Sequence, residues 1–248
     1  MAKSSKRKSI HKLDKYLRDH QGDKFHITLI GVGGTGSHIL ANLAAINSVQ
    51  SKLDGRLIHV NAFDPGEVKR HNVGKQTYYD PDNGANKAVQ AIGRINRTYG
   101  FDWTGHPTPF KGHMHNIVIT AVDSWETRKI VWREIENTKG SRQMETNPLY
   151  WLDVGNGPND GQAILWSRSQ PRKMYSVVDY SKGSVISTEL ERESCSMLES
   201  LNNQGMFINK FMATVATEML YKLLYNQQID HNAMIVNLDS MRMIPIPL

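Results

Sequence analysis

The sequence predicts a doubly wound α/β fold with a mostly parallel sheet. Two observations carry that expectation. Apolar runs of strand length alternate with segments of helical periodicity along the first two thirds of the chain. A glycine-rich turn, Gly31-Val-Gly-Gly-Thr-Gly36, sits where the first strand pattern gives way to a helical one.

The elements follow in order. Phe25 to Ile30 reads as a buried strand, and Leu40, Leu43, Ala44 and Ile46 then recur at helical spacing. Leu57 to Phe63 is a second strand, ending at Asp64-Pro65. Gly84 to Asn96 is helical, with Ala88, Val89, Ile92 and Ile95 on one side. Asn116 to Val122 gives the strongest strand pattern, and Asp123-Ser124 opens a helix through Arg133. Tyr150 to Val154 and Gln162 to Ser167 are strands separated by the turn cluster Gly155 to Gly161. Residues 168–203 are polar and weakly periodic, so a long crossing loop is expected there. A helix with Phe207, Phe211, Val215, Met219, Leu220, Leu223 and Leu224 on one face follows, and Ala233 to Leu238 reads as a closing strand. A basic arm over 1–20 and one domain over 21–248 are the expected organisation.

Composition narrows the function classes. The chain has 248 residues, 39% of them hydrophobic, enough for a buried core and too apolar for a disordered chain. No apolar run approaches the roughly 20 residues of a membrane span, and no apolar segment follows the charged N-terminus to make a secretory signal. The cytoplasm is the expected compartment. Five basic residues, Lys3, Lys6, Arg7, Lys8 and Lys12, precede the first acid, Asp14, and account for most of the net charge of +6. Such an arm reads as a solvated terminus rather than a nucleic-acid contact. The lone cysteine, Cys195, permits no internal disulfide, and no structural zinc site is expected.

The glycine turn has a mechanical meaning at the start of a helix. Glycines let the backbone turn sharply and bring N–H groups against an anionic phosphate, as in a Rossmann-like site. Asp64, at the end of the second strand, is placed to accept bonds from ribose hydroxyls. Ser37-His38 follows where a Walker A loop requires Lys-Ser/Thr, so that loop is rejected. Asn72, Lys75, Gln76, Lys87 and Asp123 would all project over the same carboxyl edge. A pyrophosphate held by backbone amides needs no lysine and carboxylate beside it, whereas a triphosphate losing pyrophosphate gains from fixed cations and from a carboxylate that holds Mg²⁺. ATP is therefore favoured over NAD.

These segments resemble the ThiF/MoeB and ubiquitin-activating adenylyltransferase superfamily. Gly31 to Ser37 is similar to its GxGGxGS loop, and Asp64 to Gln76 to its D-x-D-x-V-x-x-S-N-L-x-R-Q segment. Gly84-Ala-Asn-Lys-Ala88, Arg94-Ile-Asn96 and Ala121-Val-Asp-Ser124 with Arg128 resemble three further segments in the same order. The stretch from Ser194 to Leu201, with Gln204 and Phe207-Ile-Asn209, looks more narrowly like ThiF-related proteins of PRTRC cassettes. The resemblance implies that Gly31, Gly33, Gly34 and Gly36 form the nucleotide loop, with Gly34 against the α-phosphate. It implies Asp64 on the ribose, Asn72, Gln76, Lys75 and Lys87 near the phosphates, and Asp123 on Mg²⁺. The activity implied is ATP-dependent adenylation of the C-terminal glycine of a small ubiquitin-like or sulfur-carrier protein, with pyrophosphate released. Members are often homodimers, an arrangement open to this chain as well.

Two departures stand out. Lys75 replaces the family arginine, keeping the charge without the bidentate fork, and Gly66 replaces the second aspartate. A nucleotide-binding regulatory protein without turnover is therefore one alternative, and an NAD-dependent Rossmann oxidoreductase is another. Cys195 reads either as a nucleophile that takes the acyl group as a thioester or as an incidental cysteine. His106, His113 and His115 cluster in sequence but lack a fourth ligand at metal-binding spacing.

Overall fold

A single eight-stranded sheet organises the chain, with the switch in its winding direction placed beside the glycine turn. The computed structural model describes residues 9–19, 24–112, 114–139, 146–170, 173–182 and 205–248. In chain order the elements are β1 (His11–Lys12), α1 (Lys15–Asp19), β2 (Phe25–Ile30), α2 (Gly34–Lys52), β3 (Ile58–Phe63), α3 (Lys87–Tyr99), β4 (Thr104–His106), β5 (Ile117–Thr120) and α4 (Trp125–Asn137). They continue with β6 (Tyr150–Asn156), β7 (Asp160–Ser167), α5 (Val177–Lys182), α6 (Ile208–Leu224), β8 (Gln228–Ile229), β9 (His231–Asn237) and β10 (Arg242–Pro247).

The strand order is β10-β9-β7-β6-β5-β2-β3-β4. From β6 through β4 every pairing is parallel, while β7, β9 and β10 add antiparallel partners on one side. The chain winds outward from β2 through β3 to β4, then returns to the opposite side of β2 with β5. This reversal opens a crevice at the carboxyl ends of β2 and β5, the position where doubly wound sheets bind ligands.

Burial explains why the strands read clearly. Phe25, Ile27 and Leu29 of β2 point to the side packed by α2, α3 and α6, in a core with Leu40, Leu43, Ile92, Met212 and Leu220. Ile30 and Val118 face the other side with Trp151, Trp166, Val131 and Ile135 beneath α4 and α5. A sheet covered on both faces gives near-continuous apolar runs instead of alternation. Among the described residues no helix is long and apolar enough to cross a membrane.

The structure revises two expectations. Residues 173–182, expected in the crossing loop, include helix α5, whose Val177 and Val178 are buried in the second core with Met174 in the first. Residues 9–19, expected in the basic arm, lie against the core. Leu13 and Leu17 are buried, and β1 pairs with β8. The rest of the crossing segment, 183–204, lies outside the described residues.

His11 is the polar centre of this docked segment. Its Nδ1 donates to Gln170 Oε1 at 3.0 Å, so its Nε2 accepts from the Tyr150 hydroxyl at 2.9 Å. The same hydroxyl accepts the Asp14 N–H at 2.7 Å. Burial pushes the His11 pKa below its ordinary value, opposed in part by the Gln170 bond and the Asp14 charge. The folded state thus prefers the neutral ring, and the unfolded chain takes up its proton first as pH falls. Thermal unfolding followed from pH 7 to pH 5 should show stability falling, and His11→Gln should flatten that fall. His38, whose pKa burial also lowers, will keep part of the slope. An unchanged slope in the His11 variant would remove this residue from the account.

Candidate functional site

The glycine turn is shaped by lack of room. Gly31 has φ of 91°, and a Cβ there would lie 2.4 Å from the Ala121 carbonyl oxygen of the segment after β5. A Cβ on Gly36 would lie 1.9 Å from the Gly31 carbonyl oxygen, and one on Gly34 within 2.6 Å of the Asn209 carboxamide. Gly33 differs: among the described residues nothing would lie within 4 Å of its Cβ, so the backbone there is left uncovered by them. Gly33 is also the N-cap of α2, and no side chain caps that helix. The first-turn N–H groups have no partner within the helix and carry the positive end of its dipole toward that space.

Asp64 fastens this turn to the end of β3. One carboxylate oxygen accepts the Val32 N–H at 2.7 Å, and the other accepts the Gly66 N–H at 2.7 Å. Asn86 completes the joint by donating to the Asp64 carbonyl at 2.8 Å while its Oδ1 caps α3 at the Val89 N–H. Lys87 opens α3, and its N–H bonds the Gly66 carbonyl at 2.9 Å. A Cβ on Gly66 would lie 2.9 Å from Asp64 Oδ1 and 3.8 Å from Lys87 Cδ, so the Lys87 side chain runs over the Asp64 loop. Lys87 is half-buried and enters none of the ion pairs among the described residues.

The segment between Asp64 and α3 divides into structural and open members. Asn72 is buried, and its Oδ1 accepts the Lys69 N–H at 2.9 Å, closing a single 3₁₀ turn. Gln76 is half-buried, and its buried Oε1 has no partner among the described residues. Lys75 is half-buried beside α2, where the His38 ring bonds its backbone. Arg94 and Asn96, prominent in the sequence pattern, have structural partners. Arg94 bonds Asp82 and the Thr77 carbonyl, and Asn96 exchanges two bonds with the Trp103 backbone.

Across the crevice, Asp123 is exposed just beyond β5, followed by Ser124, whose hydroxyl caps α4 at the Thr127 N–H. Arg128, one turn on, is buried against Asp153 of β6. Its Nε donates to the two carboxylate oxygens at 2.9 and 3.1 Å. Thr120 donates its hydroxyl to Asp153 and accepts the Trp151 indole N–H at 2.9 Å. This buried pair pins the start of α4, and with it Asp123, to the sheet. Asp153 had no sequence signal of its own: it is one carboxylate inside an apolar strand, 25 residues from its partner.

The histidines behave as surface and sheet residues. His106 Nε2 bonds Asn61, and His115 Nδ1 bonds Thr28. His113 lies outside the described residues, and among those described no group of three His, Cys, Asp or Glu could hold a metal. Asp123 alone could hold Mg²⁺ only with phosphate oxygens and water completing the shell, which is that ion's usual habit at nucleotides. Cys195 also lies outside the described residues.

Several solved structures share this architecture. The chain is similar to PaaA, with a TM-score of 0.64 and 14% identity, covering 94% of this chain and 66% of that one. It is similar to E. coli MccB crystallised with ATP, with a TM-score of 0.63 and 11% identity over 94% of this chain and 66% of that one. The complex of E. coli MccB with AMPCPP and MccA gives 0.61 and 12% over 93% of this chain and 65% of that one. The chain thus spans just under two thirds of the length of these proteins, and at such identities the shared property is the α/β fold. No protein-family model and no curated protein sequence matches the chain.

Removing Asp153 would leave the Arg128 guanidinium buried and unpaired. Asp153→Ala should cost about 3–5 kcal/mol, read from the shift of the urea midpoint at constant slope. A loss under about 1 kcal/mol would mean that Arg128 finds water and that the pair does not hold α4.

Proposed function

We propose that this chain is an ATP-dependent adenylating enzyme of ThiF/MoeB type, acting on the C-terminal carboxylate of a small protein or peptide. The observation that carries the reading is the N-terminus of α2, which no side chain among the described residues caps, opening at Gly33 onto the same edge as Lys87, which enters no ion pair among those residues. Backbone N–H groups, a helix dipole and a fixed cation suit a polyphosphate. The fold shared with E. coli MccB, which was crystallised with ATP and with AMPCPP plus MccA, supports the same assignment. The order of the sequence segments from Gly31 to Arg128 favours a ubiquitin-like or sulfur-carrier acceptor ending in glycine, and the stretch from Ser194 to Asn209 favours a ThiF-related protein of the PRTRC kind.

In this reaction a carboxylate oxygen of the acceptor attacks the α-phosphorus, a C(O)–O–P bond forms, and the bond to the β-phosphate oxygen breaks as pyrophosphate leaves. The nucleophile is already deprotonated, so no general base is required. Gly33 lets the backbone approach the phosphates, Gly34 makes room for Asn209 behind the turn, and Lys87 neutralises charge as it builds on the leaving group. Asp64, with each oxygen engaged by one N–H, keeps lone pairs for ribose hydroxyls. Asp123 would hold Mg²⁺, which when bound screens the phosphate charge. Gln76, whose buried Oε1 has no partner among the described residues, is a further polar group on this loop.

A second reading, nucleotide binding without turnover, rests on Gly66: the aspartate of the resembling pattern is absent from the loop over which Lys87 lies. Calorimetric titration with Mg-ATP beside NAD tests the site. Saturable ATP binding without NAD binding is expected, and Lys87→Ala should weaken ATP about tenfold or more. NAD binding in its place would overturn the assignment. If Cys195 carries a thioester, Cys195→Ser will abolish a thiol-labile adduct while sparing pyrophosphate exchange; an adduct that survives the substitution excludes that role.

A further inference from the structure

Three neutral side chains from three elements meet behind the glycine turn. Thr35 lies in the first turn of α2, Asn156 ends β6, and Asn209 is the second residue of α6, the helix that follows the crossing segment. The Thr35 hydroxyl lies 2.9 Å from Asn156 Oδ1 and 3.0 Å from Asn209 Oδ1, and its one proton serves these two acceptors. Asn156 Nδ2 donates to Asn209 Oδ1 at 3.2 Å. Thr35 and Asn209 are both buried, at 5% and 7% exposure. The Asn209 carboxamide also fills the space where a side chain on residue 34 would begin, with Cγ, Nδ2 and Oδ1 all 2.6–2.7 Å from a Cβ built there.

This arrangement is not required by the core. The apolar face of α6 is buried through Ile208, Met212, Ala213, Ala216 and Leu220 without help from position 209. Asn209 is aimed at the turn. A carboxamide can brace that turn without placing a carboxylate beside phosphates, where an anion would repel them. Three hydrogen-bonding side chains from α2, β6 and α6 also mean that a displacement of α6 would be felt at Gly34 and Thr35.

We infer that Asn209 is a positioning residue for the nucleotide loop: its carboxamide sets the Gly34–Thr35 backbone, so the seating of α6 and the affinity of the loop for ATP are coupled. The inference rests on the ATP reading above for the ligand, but its mechanical half concerns the protein alone. The reciprocal consequence follows from linkage: whatever seats α6 more firmly strengthens ATP binding, and ATP in turn steadies α6.

Two measurements on the full chain test this. The first is amide hydrogen exchange over 31–37 without nucleotide, where Asn209→Ala should raise exchange in the glycine turn while α3 and β5 keep their protection. The second is calorimetric Mg-ATP affinity, which Asn209→Ala should weaken about tenfold. A compensating pair separates positioning from simple loss of packing. Gly34→Ala should weaken ATP strongly because its methyl meets the carboxamide, and combining it with Asn209→Ala should recover part of that loss. Wild-type exchange over 31–37 in Asn209→Ala, or wild-type ATP affinity in that variant, would overturn the inference. A double variant no better than Gly34→Ala would do so as well. A wild-type protein that binds no ATP would instead sink the nucleotide reading, and the exchange measurement would then decide the role of Asn209 by itself.

Discussion

Close backbone packing at the end of β2 is the constraint on which the rest of the site depends. The chain must leave the sheet at Gly31 within contact of the Ala121 carbonyl, then bring Gly36 back over the Gly31 carbonyl to begin α2. Side chains at these positions would collide with backbone, which cannot move without disturbing β5. Once the turn is made, α2 starts with its N-terminus facing the crevice between β2 and β5. The sheet's change of winding direction puts the ends of β3 and β5 on either side of that helix start, so Asp64 and Asp123 flank it by topology.

The surrounding polar groups serve chiefly to hold that geometry. Asp64 joins the turn to the β3 loop through two backbone N–H bonds, and Asn86 joins that loop to α3. Arg128 and Asp153 fix α4 on the far side. Bonding of this kind costs desolvation, and a buried ion pair adds little stability over apolar packing. What it contributes is a defined place for the few groups that face outward. Lys87 and Asp123 emerge from elements whose first turns are capped by Asn86 and Ser124 respectively, so their backbones do not fray.

How much of this was legible in the sequence depended on how local the cause was. The glycine turn, the strands with both faces buried and the helix start at Ser124 are set by neighbouring residues, and the sequence displays them; the α3 helix, read from Gly84, starts three residues later at Lys87 behind the Asn86 cap. β10 was missed because Pro245 and Pro247 interrupt its apolar run, a pattern that a sheet accepts only at an edge, where this strand lies with Met243, Ile244 and Pro245 exposed. α5 was missed because six residues cannot show a helical period. The docking of 9–19 was masked by its charge, although Leu13 and Leu17 stand at i, i+4 spacing. Asp153 and Asn209 are a different case. Their partners lie 25 and 174 residues away, and a single sequence holds no record of such pairs.

The charge pattern of the finished edge follows from these placements. A polyphosphate site gains from cations only if they are not already neutralised by neighbours. Here Lys87 enters no ion pair among the described residues, and Asp64, the carboxylate of the loop beneath it, is drawn inward to two N–H groups. The brace behind the turn is built from a hydroxyl and two carboxamides. Ionisable groups in that position would disturb the site: a carboxylate would cancel the field of the α2 N-terminus, and a base would need a buried counter-ion. A neutral brace leaves the field of the helix end and of Lys87 directed into the crevice. Glycine at position 66 adds no negative charge to this edge, which favours holding an anion. In the reaction proposed above, turnover is a separate matter, because it depends on stabilising charge that develops only in the transition state.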